Sequence, residues 1–350
     1  MPTPGATNLL TGQLPRRVVP RPDLQQRLDE VAPGGLALIV ASAGSGKSVL
    51  VRQWFAARSD LRVAALTLSR RHEDPTTLAR DLVAALRSVA PQLAAPMGEG
   101  VPTGEGRLGA DFVGALLGGI ATLEGEVVLV IEDAHVLSGR AVLDDLGQLV
   151  LVLPDNARAV VSTRRDLPWQ LNRLRLDDKV VELRGADLAF REDEARALVE
   201  TVSQRPLTAA LVRKIVSRTD GWAAGLQLAA ISLRTAPDPD VFVESFAGSN
   251  RLVVEYLLDE VIERQDAETR QFLLHTSVLG WLSAEYCDAV TGAGNGHRML
   301  VDLYRQSMFL IPDASGETYR YHHLFAETLR YRLRIEDPDA VYALQQGAAR

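Results

Sequence analysis

Short apolar runs alternate with amphipathic segments through the first half of the chain. The runs have the length and β-branched composition of buried strands, and the segments between them repeat apolar residues at helical spacing. Strands that alternate with helices predict an α/β domain built on a parallel sheet. The predicted strands are 36–40, 62–68, 127–131, 157–162 and 180–183, and the predicted helices between them are 49–57, 76–89, 109–123 and 141–153.

The pattern changes after about residue 190, where helical spacing continues without buried strands between the helices. The predicted helices are 192–202, 208–218 and 223–233, and the Pro/Asp-rich stretch 236–240 is predicted to be a linker. Further helices lead to two short segments, Phe309-Leu-Ile311 and Tyr319-Arg-Tyr321, which are separated by a turn at Gly316 and are predicted to form a β-hairpin. A hairpin behind a helical trio is the layout of a winged helix.

A glycine-rich loop follows the first predicted strand, in the segment Ala41-Ser-Ala-Gly-Ser-Gly-Lys47-Ser48. The phosphate-loop pattern, Gly, four residues and then Gly-Lys-Ser/Thr, requires a strand before it and a helix after it, and both are predicted here. Such a loop turns backbone N–H groups toward phosphate, while its lysine contacts the terminal phosphates and its hydroxyl binds Mg²⁺. The candidate ligand-binding residues are Ala43, Gly44, Ser45, Gly46, Lys47, Ser48 and Val49. Ala41 stands where the pattern has glycine, which is acceptable if its backbone is extended.

The third predicted strand ends in two carboxylates, Glu132 and Asp133. Ligands of parallel sheets bind at the carboxyl ends of strands, so we expect these side chains beside the phosphate loop, on an adjacent strand. One carboxylate would hold Mg²⁺ with Ser48 and the other would orient the attacking water. His135, two residues later, is interpreted either as a γ-phosphate sensor or as a cap of the next segment.

The fourth predicted strand ends in Thr163-Arg164-Arg165. This end also faces the expected nucleotide, and an arginine there would contact the γ-phosphate and respond to its loss. We take Arg164 ahead of Arg165 for this role. Lys47, Glu132, Asp133 and Arg164 are therefore the predicted catalytic residues.

Composition limits the alternatives. The net charge of −7 argues against a chain that coats nucleic acid or an anionic membrane through bulk charge. A single cysteine, Cys287, allows no intramolecular disulfide, and no secretory signal or bilayer-length apolar run is present, so we expect a cytoplasmic protein without membrane partners. Only three of the 38 basic residues are lysines, Lys47, Lys179 and Lys214, and one of them occupies the phosphate loop.

The order of these motifs resembles the nucleotide-binding region of the MalT-type, large LuxR-family regulators. These are members of the signal-transduction ATPases with numerous domains, and the resemblance covers roughly residues 15–335. The matching segments are the leading Val19-Pro-Arg21-Pro22, the phosphate loop, the acidic turn Glu73-Asp-Pro75, the strand end 131–135, the arginine segments 162–168 and 171–175, the lid motif Gly221-Trp-Ala-Ala-Gly-Leu226, and Tyr319-Arg-Tyr-His-His-Leu-Phe325.

The resemblance implies an ATP/ADP switch. Val19 and Arg21 would line the adenine, and His322 or His323 would reach the β-phosphate of ADP and hold a closed monomer. An inducer would favour ATP with Mg²⁺, opening and self-association, and slow hydrolysis would reset the switch. DNA would be read by a C-terminal domain beyond this chain.

The resemblance also implies a domain order. Residues 1–22 would form a leading segment, 23–190 a P-loop NTPase core, 191–238 a helical lid, 239–335 a winged helix and 336–350 the start of a helical sensor region. The lid motif has Ala223 where the family has a proline that packs on adenine, and the acidic pair begins with Glu132 rather than aspartate.

Two other functions remain open. A DNA-binding AAA-type ATPase would use its winged helix on DNA, but the candidate recognition segments, 284–290 and 296–307, mix acidic and basic residues. A P-loop phosphotransferase would need a second substrate pocket, which the helical and winged-helix segments fit poorly. Trp222 and Trp281 are predicted to be core aromatics.

Overall fold

The computed structural model describes residues 18–58, 61–94, 107–341 and 344. These residues divide into two compact units. The first contains the chain up to residue 41 together with 46–188, and the second contains 42–45 together with the chain from 189 onward. Residues 95–106 and part of the C-terminal segment lie outside the described residues.

A five-stranded parallel sheet forms the centre of the first unit. Its strands are β1 (Leu36–Val40), β2 (Arg62–Thr67), β3 (Val127–Glu132), β4 (Ala157–Thr163) and β5 (Val180–Arg184), in the spatial order β2-β3-β4-β1-β5. All five strands agree with the sequence prediction to within one residue at each end. The α/β fold class is confirmed.

Helices cover both faces of this sheet, which explains the nearly continuous apolar strands. In β1, Leu36, Leu38 and Val40 face one hydrophobic cluster, whereas Ala37 and Ile39 face the other. The helices of this unit are α1 (Pro22–Asp29), α2 (Lys47–Ala56), α3 (Pro75–Val89), α4 (Ala110–Ala121), α5 (Arg140–Leu151), α6 (Asn172–Leu176) and α7 (Gly185–Leu188).

The second unit begins with three helices that match the prediction, α8 (Glu192–Ser203), α9 (Ala209–Thr219) and α10 (Ala223–Thr235). α8 packs against α10, and Leu198, Val199, Leu226 and Ala230 of these helices are buried. The remaining helices of this unit are α11 (Pro239–Ser245), α12 (Arg251–Glu260), α13 (Ala267–Thr276), α14 (Ala284–Thr291), α15 (Gly296–Arg305) and α16 (His323–Glu336).

The predicted hairpin is present as β6 (Leu310–Pro312) and β7 (Tyr319–Tyr321), which pair antiparallel. Leu282 adds an antiparallel bridge to Tyr319, so a third extended segment borders the hairpin. Together with α13, α14 and α15 this arrangement is a winged helix, as the sequence predicted.

Three sequence-based expectations are wrong. β3 is not adjacent to β1, because β4 lies between them. The predicted linker gives way to α11 at Pro239, because the Asp238 carboxylate accepts hydrogen bonds from the N–H groups of Asp240 and Val241 and so caps a helix. Trp281 is not a core residue, since half of it is exposed to solvent.

Within the described ranges, none of the helices combines the length and the apolar character needed to cross a membrane.

Candidate functional site

The phosphate loop has the backbone that its glycines predict. Gly44 and Gly46 adopt left-handed conformations, with φ of 69° and 89°, and Gly46 is the N-cap of α2. Ala41 is absent from the positive-φ residues, and its N–H donates to the carbonyl of Thr163 at 3.2 Å, which continues the pairing of β1 with β4. The methyl group of Ala41 is therefore compatible with this loop.

Lys47 is the first residue of α2 and is only 7% exposed. Its ammonium donates to the carbonyl of Ala41 at 2.7 Å. Burial, together with the positive charge of Arg164, lowers the pKa of Lys47 to about 8, although the nearby carboxylates of Asp133 and Glu132 oppose this shift. The first unit thus holds a desolvated cation beside two carboxylates and an arginine.

Glu132 ends β3 and is buried, with 4% of the residue exposed. The Ser48 hydroxyl donates to its carboxylate, and Arg52, one helical turn after Ser48, adds a favourable charge. Burial nevertheless raises the pKa of Glu132 above its ordinary value. Among the described residues, its Oε1 has no hydrogen-bond partner, so this oxygen is available to a ligand.

Asp133 follows in a left-handed conformation, with φ of 60°, which is uncommon for a residue other than glycine. Its N–H donates to the Ser162 hydroxyl at 3.3 Å, and its carboxylate lies 3.7 Å from Nδ1 of His135. The Asp133 side chain is about a third exposed. The turn therefore separates the two carboxylates, with Glu132 buried beside Ser48 and Asp133 nearer to solvent.

The two arginines that follow β4 differ in their surroundings. Arg165 is attached to the loop after β3, because its guanidinium donates to the carbonyl of Leu137. Arg164 instead lies close enough to Lys47 to lower the pKa of that ammonium. This difference supports Arg164 rather than Arg165 as the arginine that faces phosphate, and its catalytic role stays a prediction.

Glu73 is a positioning residue that the sequence did not reveal as such. Its carboxylate accepts hydrogen bonds from the N–H and hydroxyl of Ser138 and from the N–H of Gly139, the N-cap of α5. These hydrogen bonds lower the pKa of Glu73 against the opposing effect of burial. The acidic turn after β2 thereby fixes the loop that follows Glu132 and Asp133.

The leading segment is anchored to the first unit. Gln53 of α2 donates to the carbonyl of Val19 at 2.8 Å, and buried Arg21 donates to the carbonyl of Leu188 at 3.1 Å. The contact of Val19 and Arg21 with adenine stays a prediction.

The lid motif contacts residues 42–45, which belong to the same unit. Nε1 of Trp222 donates to the carbonyl of Ala43 at 2.9 Å, and the N–H of Ala224 donates to the carbonyl of Gly44 at 3.0 Å. Ala223 is the first residue of α10, a position where proline is well tolerated, so its replacement of the family's proline leaves the helix start intact.

The two histidines after β7 have different environments. His322 is buried, and its Nε2 donates to the carbonyl of Thr219 at 2.6 Å, while burial lowers its pKa. Half of the His323 side chain is exposed, and its Nε2 lies 3.4 Å from Glu327. The contact of either histidine with phosphate stays a prediction.

In the candidate recognition helices, carboxylates lie close to the basic residue Arg298. Arg298 of α15 pairs with Glu268 and lies 4.0 Å from Asp302, while the Asp288 carboxylate of α14 accepts from the N–H of Gly296. These contacts of Arg298 and Asp288 do not favour DNA binding by the winged helix.

Comparisons with known proteins agree with this architecture. Residues 258–341 match the MalT winged helix domain. The chain is 30% identical over 332 residues to the serine/threonine-protein kinase PknK of Mycobacterium tuberculosis, covering 93% of this chain and 30% of that protein. It is 31% identical over 304 residues to the HTH-type transcriptional regulator MalT of Klebsiella pneumoniae, covering 86% of this chain and 34% of the regulator.

A solved Walker-type ATPase of Pyrococcus abyssi has the same fold, with a TM-score of 0.61 and 14% identity over 92% of this chain and 99% of that one. The chain spans only about a third of the length of the curated relatives it matches. The resemblance to the MalT-type regulators that the motifs indicated is therefore confirmed, with a winged helix of the MalT type following a P-loop fold.

Proposed function

We propose that this chain is the ATP/ADP-dependent switch module of a MalT-type transcriptional regulator that works in the cytoplasm. The observation that carries the proposal is the arrangement of side chains around the start of α2. Buried Lys47 follows two left-handed glycines, and Glu132 keeps an unpaired oxygen beside Ser48. A buried carboxylate oxygen without a hydrogen-bond partner is costly unless a ligand uses it.

In this proposal the N–H groups of the loop from Ala43 to Val49 bind the phosphates, and the Lys47 ammonium contacts the terminal ones. Both glycine conformations favour inward-turned amides, and the N-terminus of α2 adds a positive dipole. Val19 and Arg21 line the adenine, as the resemblance implies. The proposed ligands are ATP and ADP.

The residues present fit Mg²⁺. Ser48 and Glu132 offer adjacent oxygens, one of them unpaired, and Asp133 follows directly. The remaining ligands of such an ion would be phosphate and water oxygens. Such an ion would neutralise charge on the phosphates during transfer.

For hydrolysis we assign Asp133 to the attacking water, because its side chain lies nearer to solvent, and Arg164 to the γ-phosphate, because it lies beside Lys47. Only slow turnover is needed, since hydrolysis resets a switch rather than supplying a product. His322 or His323 holds the ADP state, and the ATP state self-associates when an unknown inducer binds. DNA is read by a domain beyond this chain.

The domain limits expected from the sequence are part of this proposal. Residues 23–190 act as the NTPase core, 191–238 as the lid, 239–335 as the winged helix and 336–350 as the start of the sensor region. The winged-helix assignment is supported by the match at 258–341.

The proposal predicts that the purified protein carries ADP. Heat denaturation followed by mass spectrometry of the released small molecules should detect about one ADP per chain. Calorimetry on nucleotide-free protein should then give a dissociation constant for ADP in the micromolar range or below, about −8 kcal/mol or stronger. Protein that is empty as purified and gives no binding heat with ADP or with ATP and Mg²⁺ contradicts the proposal.

A further inference from the structure

The lid motif forms hydrogen bonds with the backbone of the phosphate loop. When successive N–H groups of such a loop turn toward a phosphate, the carbonyls of the same peptides point away from it and need donors. Two of these carbonyls accept a hydrogen bond from the lid motif. The Trp222 indole donates to the carbonyl of Ala43, and the Ala224 backbone N–H donates to the carbonyl of Gly44. The phosphate loop is thus bonded on the side opposite its proposed ligand.

The bond from Ala224 also satisfies the lid. Ala224 is in the first turn of α10, where N–H groups have no partner within the helix, and the N-cap residue Trp222 provides no side-chain cap. The Gly44 carbonyl takes the place of that cap. Loop and helix therefore complete each other's hydrogen bonding.

Hydrogen bonds accepted by a carbonyl polarise the N–H of the same peptide group. The Ala43 carbonyl shares its peptide with the N–H of Gly44, and the Gly44 carbonyl shares its peptide with the N–H of Ser45. The donors from the lid consequently strengthen the two amides that face phosphate in the proposed function. They also fix the peptide planes, which lowers the ordering cost when a ligand binds.

Gly44 allows this close approach. A Cβ atom at Gly44 would lie 2.6 Å from the Cβ of Ala224, 2.7 Å from the hydroxyl of Tyr256 and 3.2 Å from Cζ2 of Trp222. No real Cβ atom fits at the first two distances. The glycine is therefore required by contact with the lid as well as by its backbone conformation.

The Trp222 ring, which donates to the loop, also contacts residues of the winged helix. It packs edge-on against Phe309, with 5.2 Å between ring centroids, and against His322 at 5.6 Å. The Thr219 carbonyl accepts hydrogen bonds from both the Trp222 backbone N–H at 2.7 Å and Nε2 of His322 at 2.6 Å. Movement of the loop carbonyls would shift Trp222 and, through it, the two residues beside the hairpin.

We infer that Trp222 is a positioning residue for nucleotide binding, which orients the phosphate-binding amides of Gly44 and Ser45 through the Ala43 carbonyl and links the loop to Phe309 and His322. This inference rests on the proposed nucleotide binding by the loop. It assigns to the lid tryptophan a polar role that its burial alone does not suggest.

The test is Trp222→Phe, which keeps an aromatic ring and removes the indole donor. Trp169→Phe is the matched control, because Nε1 of Trp169 donates to the buried carbonyl of Leu143 at 2.8 Å in the other unit. Both variants lose one indole–carbonyl bond, so both should lower Tm by similar amounts. Only Trp222→Phe should weaken ADP binding, by about 10-fold in calorimetry.

Equal ADP affinity in Trp222→Phe and the wild type overturns the inference and leaves the proposed function intact. Absence of ADP binding by the wild type overturns the proposed function instead. Amide hydrogen exchange on the wild type gives a second measurement that does not depend on folding of a variant. ADP should slow exchange at the Ala224 amide but not at Leu211, a first-turn amide of α9 bonded to the Thr208 hydroxyl. Unchanged exchange at Ala224 also overturns the inference.

Discussion

Replacement of Lys47 by alanine is expected to weaken ADP and ATP binding by at least about 100-fold, as measured by calorimetry. Removal of one charge-assisted contact costs up to about 3 kcal/mol, which by itself corresponds to about 100-fold in Kd, and unscreened repulsion from the nearby carboxylates adds to it. The variant also leaves Glu132 and Asp133 near the phosphates without the ammonium that now lies beside them. Because the pKa of Lys47 is lowered to about 8, wild-type affinity should fall as the pH rises through that value.

Lys214→Ala is the matched control, since the chain has so few lysines. Lys214 lies on α9 and pairs with Glu244 at the surface, so its removal should leave nucleotide affinity within about 2-fold. Equal nucleotide affinities in Lys47→Ala and Lys214→Ala would show that Lys47 does not contribute to nucleotide binding.

The second large effect is expected for Glu132→Gln. The substitution keeps the size of the side chain and removes the negative charge beside Ser48. Mg²⁺ should no longer strengthen ATP binding, and steady-state hydrolysis should fall by about 100-fold. Binding of ADP without Mg²⁺ should stay within about 2-fold of wild type.

The pH dependence gives a further readout of the same residue. Burial raises the pKa of Glu132, so its ionised form is lost at a higher pH than for an ordinary glutamate. Wild-type hydrolysis should therefore decline as the pH falls through this raised pKa. Asp144→Asn changes a partly exposed carboxylate of α5 and is the control. It should alter neither the hydrolysis rate nor its dependence on pH. Retained Mg²⁺ dependence in Glu132→Gln would assign the metal to another residue.

The sequence predicted those features that depend on local pattern. The central strands β1, β3 and β4 are identifiable from the sequence because both of their faces are buried, which produces a nearly continuous apolar run. The phosphate loop was equally clear, because Gly44, Gly46 and Lys47 occur between a strand and a helix. The winged-helix hairpin is predicted by the segments 309–311 and 319–321 on either side of a glycine turn.

Features that depend on pairing between distant segments were not predictable. The position of β4 between β1 and β3 depends on pairing between segments far apart in the chain, which no local pattern encodes. Glu73 reaches an amide 65 residues away, which no local pattern encodes. The sequence predicts that Trp222 is a core residue of the lid motif, but no local pattern reveals the carbonyl that its indole contacts.

The most direct test of the switch is the molar mass of the purified chain in each nucleotide state, measured by light scattering coupled to size exclusion. With ADP the account predicts a monomer of 38.1 kDa. With a non-hydrolysable ATP analogue and Mg²⁺ it predicts a mass of at least about twice that value, from the population shift toward the open form. The same mass with both nucleotides, at saturating concentrations, would contradict the account.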